Sequence, residues 1–216
     1  MHNKARIFIV DDHPIFRKGL KQLIDEEPDL EVCGEAEDVN EARKKIARLK
    51  PDMAIVDLTL KDKSGLELLN DIHSNHSMKT LVISMHDESL YAERVLKAGA
   101  SGYIMKQEMT TSVISAIRHV LNGGIYASNA MVNKFLGRLT DKTTDKSNPI
   151  SLLSDRELEV FQLIGKGYSR KDIADILGVS TKTIGTYREH IKRKLKLKNA
   201  PELMKHAIEW AGKNNI

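Results

Sequence analysis

Two hydrophobic periods alternate from Arg6 to Leu121. Short apolar runs lie at Arg6–Val10, Glu31–Ala36, Met53–Val56, Thr80–Met85 and Gly102–Met105, each short and apolar enough for a strand buried on both faces. Between them, apolar residues recur at helical spacing in Pro14–Asp25, Asn40–Leu49, Gly65–His73, Leu90–Ala98 and Thr111–Leu121. In the first of these, Phe16, Leu20, Leu23 and Ile24 fall on one face, and Pro14 suits a first helical turn, where a missing N–H costs nothing. Five strand–helix units in succession predict an α/β domain, a parallel five-stranded sheet covered by helices on both faces.

The pattern stops at Gly123-Gly124. One more helix is expected over Ser128–Leu139, followed by Thr140 to Pro149, TDKTTDKSNP, which holds no large apolar side chain. Such a segment buries too little surface to fold and reads as a flexible tether. From Ser151 onward the pattern is wholly helical. Ser154 with Glu157 forms a capping box ahead of Leu158, Val160, Phe161 and Ile164, and Gly165 and Gly167 end that helix. Ser169 with Asp172 opens a second helix that Gly178 closes. Ser180 caps a third, reaching Leu195, and a fourth spans Ala200–Trp210. The expected organisation is a domain over residues 1–124, a linker with a short helix over 125–150, and an all-α four-helix domain over 151–216.

Composition fits folded, water-soluble units. Of 216 residues, 41% are apolar and 30% charged, ordinary globular values, and no apolar run approaches the ~20 residues of a spanning helix. The opening MHNKARIFIVDDHP returns to charge too soon for a secretory leader, and the single cysteine, Cys33, excludes an internal disulfide. A cytoplasmic chain without membrane contact is expected. The net charge of +4 is unevenly spread. Residues 1–125 carry 17 Lys/Arg against 20 Asp/Glu, residues 126–150 carry 4 against 2, and residues 151–216 carry 13 against 8, with Lys192, Arg193, Lys194, Lys196 and Lys198 close together. A basic end on an acidic body points to a polyanionic partner, the bland alternative being a solvated helix face.

The polar residues of the first domain gather where its strands end, the edge at which open parallel sheets bind ligands. Asp11 and Asp12 follow the first strand, Asp57 follows the third, Ser84 lies near the end of the fourth and Lys106 ends the fifth. Three carboxylates brought together repel and raise one another's pKa unless a cation joins them. A hard, oxygen-ligated dication, Mg2+, meets that need. Carboxylate nucleophile, metal, hydroxyl and amine together suit phosphoryl chemistry. Singly, an Asp-Asp pair after a strand reads as a helix cap and a lysine there as solvated; their meeting on one sheet edge carries the reading.

These residues, in IFIVDDHP, IVDLTL followed by SGLELL, LVISMHD and KAGASGYIMK, resemble the receiver domain of two-component response regulators over residues 4–122. The resemblance implies a flavodoxin-like (βα)5 fold in which Asp57 accepts phosphate from a sensor histidine kinase. It implies that Asp11, Asp12, Asp57 and the backbone carbonyl of Thr59 hold Mg2+, Asp12 directly and Asp11 through water. Ser84 and Lys106 would read the phosphoryl group, and Tyr103 would turn inward when Ser84 moves. Two features depart from the commonest pattern. Lys61 stands where the family has proline, which loosens the loop after Asp57. Thr59 and His86 flank the site where relatives vary, and such neighbours tune acyl-phosphate hydrolysis.

Arg170–Leu195 has the form of a helix-turn-helix. Ala174 permits close helix crossing, Gly178 allows a left-handed turn, and Val179 and Ile184 fill the joint. On the third helix Ile184, Ile191 and Leu195 form an inward stripe, while Lys182, Thr186, Glu189 and Arg193 face the other way. That outward set of donors, acceptor and charges suits a major groove. LSDRELEVFQLIGKGYSRKDIADILGVSTKTIGTYREHIKRKL resembles the LuxR-type helix-turn-helix, and its place behind a receiver is that of the NarL/FixJ class of response regulators. By that likeness Gly185, Thr186 and Glu189 approach bases, Lys182, Arg188 and Lys192 meet phosphates, and Thr183 and Arg193 complete the surface on double-stranded DNA. Gly185 departs from the longer polar residue usual there, which leaves base readout to Thr186 and Glu189. The fourth helix, with Leu203, Ala207, Ile208 and Trp210, resembles the element through which such domains pair. Pairing implies a homodimer, formed on phosphorylation, on inverted half-sites; the alternative for Trp210 is a cover over the core.

The expectation is a transcription regulator switched at Asp57, with no enzymatic turnover beyond hydrolysis of its own acyl phosphate. Two alternatives stand beside it. One is a DNA-binding chain with a passive receiver, against which the intact set Asp11, Asp12, Asp57, Ser84 and Lys106 argues. The other is an aspartyl-nucleophile phosphatase, which needs a second acid where Leu58-Thr59 stands. Cys33 is expected to be inert packing and His13, which follows the acidic pair, a turn residue, the alternative being a contact to the phosphoryl site, while His73, His76, His119, His190 and His206 form no ligand spacing.

Overall fold

The computed structural model describes residues 4–60, 64–75, 78–86, 88–129, 131–133 and 149–213. Contacts divide the chain into two compact units, Met1–Lys142 and Thr143–Ile216. In the first, strands and helices alternate as β1 (Ala5–Val10), α1 (Pro14–Asp25), β2 (Leu30–Ala36), α2 (Val39–Leu49), β3 (Met53–Asp57), α3 (Gly65–Asn75), β4 (Lys79–Ser84), α4 (Glu88–Lys97), β5 (Gly102–Met105) and α5 (Met109–Leu121). The strands are parallel, in the order β2-β1-β3-β4-β5. The chain steps from β1 out to β2, then returns past β1 to β3. The order therefore reverses between β1 and β3, and their carboxyl ends open into a crevice.

Alternation along the strands sorts the two faces of the sheet. Ile7, Ile9, Met53, Ile55, Leu81, Ile83 and Ile104 pack with Leu20 and Ile24 of α1 and with Val113, Ala116, Ile117 and Val120 of α5. The intervening Phe8, Val10, Ala54, Val56 and Val82 are equally buried and face α2, α3 and α4. Each aliphatic side chain so buried contributes about 2 kcal/mol relative to the extended chain. β3 is buried throughout, which is why its sequence reads as an unbroken apolar run. Between β1 and β2 the register slips, Ile7 pairing with Val32 but Phe8 with Gly34. Cys33 is the extra residue of this bulge, half-buried, and burial raises its thiol pKa. Gly34 is required beside it, because a β-carbon there would stand 2.8 Å from Phe8 and 2.7 Å from Leu49.

Two boundaries differ from the sequence reading. β4 ends at Ser84, leaving Met85 62% exposed, since the sheet edge has no partner for one more residue. Nor does the chain leave the sheet at Gly124. Gly123, at φ +91°, turns it back, and Tyr126 pairs in parallel with Gly102. The Tyr103 N–H donates to the Tyr126 carbonyl, and the Tyr126 N–H to the Ser101 carbonyl, both at 2.9 Å. The first residues of the expected linker thus extend the sheet edge. Beyond them Ser128 Oγ accepts the Met131 N–H at 3.2 Å and residues 131–133 are helical. The rest of the expected helix to Leu139, the tether up to Asn148, and Lys61 lie outside the described residues.

The second unit holds a 3-10 turn at Pro149–Leu152, then α6 (Asp155–Gly165), α7 (Arg170–Ile176), α8 (Thr181–Leu195) and α9 (Ala200–Lys213). Both expected capping boxes form, and Ser180 accepts the Thr183 N–H. Leu158, Phe161, Ile164, Ile173, Ile184 and Ile191 build the core. Leu203 and Ala207 belong to it as well, and the Trp210 ring lies 5.6 Å from Phe161. Of the residues expected to pair two copies, three therefore cover this core, because three helices alone leave the α6 face open. Ile208 faces out, 50% exposed, beside Met204.

A buried carboxylate ties α6 to α8. Glu157 is 3% exposed and accepts the Ser154 N–H at 2.7 Å and Lys194 Nζ at 2.6 Å. Burial pushes its pKa up, but Lys194 and the cap N–H outweigh it and hold the carboxyl below its usual 4.5. A lowered native pKa contributes stability that is complete above the unfolded value and is lost as pH falls through the native one. Trp210, the only tryptophan, sits in this unit, so its fluorescence follows the unit's unfolding. The urea midpoint read at Trp210 is expected to drop as pH falls below about 4.5, and to drop less steeply in Glu157→Gln; equal slopes would assign the dependence to other carboxylates.

Candidate functional site

The crevice between β1 and β3 collects the acidic residues. Asp11 and Asp12 turn the chain out of β1. Arg17 of α1 secures that turn, donating from Nη1 to the Asp11 carbonyl at 2.6 Å while Glu35 and Glu37 hold its other nitrogens at 3.1 and 2.7 Å. Val10 is in register with Val56, so Asp11 and Asp57 follow side by side on adjacent strands. Lys106, the first residue after β5, brings its ammonium to 2.7 Å from both Asp11 Oδ2 and Asp57 Oδ2. All three side chains are buried. The ammonium also lies 4.2 Å from the centroid of the Phe16 ring, whose electron-rich face favours a cation.

Asp57 stands between opposing influences. Burial dominates and raises its carboxyl to about 6; Lys106 pulls it down, Asp11 pushes it up, and the Thr59 N–H, 3.2 Å from Oδ1, favours the anion. For Lys106, burial disfavours the charge, but the two carboxylates outweigh it and raise its pKa. One lysine among three carboxylates leaves the crevice short of positive charge. Asp12 Oδ1 is buried and accepts no hydrogen bond, although His13 Nδ1 is 2.8 Å away. Ligand atoms of Asp11, Asp12, His13 and Asp57 lie within 4.8 Å of one another. An orphaned carboxylate oxygen amid two further carboxylates suits a hard dication, so the residues present fit a divalent metal.

His13 is more than a turn residue. Its N–H donates to Asp11 Oδ1 at 2.7 Å, and its ring, 59% exposed, lies over the acidic group, 3.1 Å from Asp11 and 3.8 Å from Asp57. Pro14 opens α1 immediately afterwards, and the helix start turns the His13 ring back over the pair. Its adjacency to Asp11-Asp12 was the available signal.

Hydroxyl and aromatic groups form a second line of contacts. Ser84 is fully buried, and its Oγ accepts the His86 N–H at 3.2 Å. The His86 carbonyl accepts the Tyr103 hydroxyl at 2.7 Å, and His86 Nε2 lies 3.0 Å from Thr59 Oγ1. The His86 ring stacks on Tyr91, centroids 4.4 Å apart. Tyr103 is 2% exposed. The expected inward turn thus meets a ring that is already inside, tied by its hydroxyl to the loop after Ser84. Across the crevice, the loop from Asp57 closes through a Thr59–Ser64 bridge and a Gly65 N–H bond to the Leu58 carbonyl at 2.9 Å. Any side chain at Gly65 would collide with the Asp57 carbonyl.

On α8, Ile184, Ile191 and Leu195 are buried, and Lys182, Thr186, Glu189 and Arg193 are exposed. Gly185, Arg188 and Lys192 are half-buried. Lys192 Nζ is 2.9 Å from Glu189 Oε1, so two of the expected DNA contacts are paired with each other. The Thr183 hydroxyl lies 2.8 Å from Ser180 Oγ, within the helix cap.

Comparison with known proteins bears on both units. Residues 7–118 match the response regulator receiver domain, and residues 151–207 match the bacterial regulatory proteins of the luxR family. Oxygen regulatory protein NreC of Staphylococcus epidermidis is 38% identical over 211 residues, covering 94% of this chain and 97% of the relative. NreC of Staphylococcus carnosus is 37% identical over 210 residues, with the same coverage. Among solved structures, RcsB from Salmonella enterica serovar Typhimurium, bound to promoter rprA in the presence of phosphomimetic BeF3-, has a TM-score of 0.59 at 25% identity, covering 95% of this chain and 98% of that one. A LuxR-family two-component response regulator from Aurantimonas sp. SI85-9A1 reaches 0.59 at 33% identity, covering 64% and 100%. The chain therefore belongs to the two-component response regulators that join a receiver domain to a LuxR-family DNA-binding domain and regulate transcription.

Proposed function

We propose that Asp57 is the phosphoacceptor and that its modification controls DNA binding through α8. Lys106 carries the reading: one buried ammonium 2.7 Å from both Asp11 and Asp57, with Asp12 Oδ1 left unbonded beside them. A sensor histidine kinase presents a phosphohistidine. An Asp57 carboxylate oxygen forms the new O–P bond as the N–P bond breaks, and the electron pair leaves with the imidazole, which takes up a proton. Asp11, Asp12, Asp57 and the Thr59 carbonyl would hold Mg2+, whose charge neutralises phosphoryl oxygens when bound.

Lys106 supplies the second positive charge, donating to a phosphoryl oxygen once Asp57 is modified. Ser84 turns its hydroxyl proton to another. Ser84 Oγ holds the His86 N–H and the His86 carbonyl holds Tyr103, so the displacement passes along the backbone into the β4–α4 loop and β5, biasing a two-state surface. Thr59 and His86 border the path of water to the acyl phosphate. Its hydrolysis is the one turnover assigned.

In this reading α8 enters the major groove. Thr186 meets a thymine methyl and Glu189 accepts from cytosine N4, while Lys182, Arg188, Lys192 and Arg193 meet phosphates. Glu189 and Lys192 exchange their mutual ion pair for these contacts. Phosphorylated chains pair as a homodimer on inverted half-sites. No described helix is long and apolar enough to cross a membrane; a cytoplasmic setting follows from the DNA and kinase partners.

Incubation with Mg2+ and a small phosphodonor is expected to add one phosphoryl group to the wild type and none to Asp57→Ala, read by intact mass. No gain on folded wild type would favour the passive receiver. Metal ligation requires deprotonated carboxylates, and burial raises Asp57 to about 6. Mg2+ affinity measured by calorimetry is therefore expected to weaken as pH falls through 6, and Asp57→Asn to bind weakly with a flatter pH dependence. Arg193→Ala is expected to weaken binding to all duplex sequences alike and to lower the slope of log affinity against log salt by about 1.

A further inference from the structure

Gly185 is out of place in α8 by local rules. It lies inside a 15-residue helix, where glycine is the poorest choice short of proline, and it lacks the positive φ of Gly99, Gly123, Gly167 and Gly178. The backbone does not require glycine here; what glycine leaves open is space that a long side chain occupies. A β-carbon at Gly185 would stand 2.5 Å from Arg170 Nη2 and 3.1 Å from Arg170 Cζ. The guanidinium of Arg170, first residue of α7, lies across the bare surface of α8. Its Nε donates to the Thr181 carbonyl at 2.6 Å, one helical turn before Gly185.

This anchor uses one of five donors and leaves the Nη1–Nη2 edge. Arg170 is exposed, and among the described residues no carboxylate lies within ion-pair distance of it. A cation that only neutralises phosphate needs no fixed direction, and the lysines of α8 provide that. A planar fork held by a backbone carbonyl on the first turns of the helix has a fixed direction, where such helices approach base edges. We propose that Arg170 is a specificity-determining residue: carried by α7 but held on α8, it supplies the base-reading group that Gly185 lacks, its paired Nη donors addressing O6 and N7 of a guanine. The assignment rests on α8 being the DNA-facing helix.

The test selects binding sites from a library of random duplex DNA with the full chain, treated with Mg2+ and a small phosphodonor. Wild type is compared with Arg170→Ala, Arg170→Lys, Gly185→Ala and the Arg170→Ala/Gly185→Ala double variant, folding being followed at Trp210. Wild type is expected to enrich one G·C pair per half-site about tenfold. Both Arg170 variants lose that preference and keep the others. Gly185→Ala, which favours the helix and only pushes the guanidinium aside, loses the same preference with Arg170 intact, and the double variant is no worse than either single. An unchanged consensus bound uniformly more weakly, with a salt slope lower by about 1, would make Arg170 a phosphate contact and overturn the proposal. Unchanged binding would overturn it equally. A wild type that enriches no sequence would instead remove α8 from DNA, and the role of Arg170 with it.

Discussion

A buried ammonium shared by two buried carboxylates organises the receiver unit. Lys106 reaches from the end of β5 to Asp57 on β3 and Asp11 beyond β1, so one side chain spans most of the sheet's carboxyl edge. The three side chains are buried, and removing one member of such a group commonly costs about 3–5 kcal/mol, since the others stay buried without their partner. The same arrangement leaves the site electrostatically incomplete. Asp12 Oδ1 takes no hydrogen bond and burial lifts Asp57 toward neutrality, so the site gains from a dication and holds a carboxylate at the crevice where a phosphoryl group arrives. Stability and reactivity come from one shortage of positive charge.

The contacts around this centre run through backbone atoms as much as side chains. Arg17 grips the Asp11 carbonyl, Gly65 lets the chain pass over the Asp57 carbonyl, and the His86 peptide joins Ser84 to Tyr103. A change at the Ser84 hydroxyl therefore displaces a loop, not a single rotamer. In packed interiors small displacements are transmitted because there is little free volume to absorb them.

Charge in the helical unit divides between inside and outside. Residues 151–216 carry five more basic than acidic groups, yet Lys194 is tied to buried Glu157 and Lys192 to Glu189. On and just beyond α8, the exposed basic groups left to meet a polyanion are Lys182, Arg193, Lys196 and Lys198, with Arg170 lying over α8. The five-residue basic run around Lys192 looked uniform as a string and is not uniform in space.

What the chain determined by itself was set by local spacing. Short apolar runs set against period 3.6 located the strands and helices, the Ser–Glu and Ser–Asp pairs located helix starts, and the acidic residues marked strand ends because the apolar runs stop there. Which residues of α8 turn inward was equally legible, since one helix decides its own faces. Tertiary structure alone decided the rest. Tyr126 rejoins the sheet after an apparent stop, Trp210 covers Phe161, His13 folds over Asp11, Lys106 chooses two carboxylates at once, and Arg170 occupies the space above Gly185. Each of these joins residues whose meeting depends on strand order, on a backbone carbonyl or on the reach of a long side chain. Such meetings leave no period in the sequence, because they are set by where distant segments pack rather than by the residues between them.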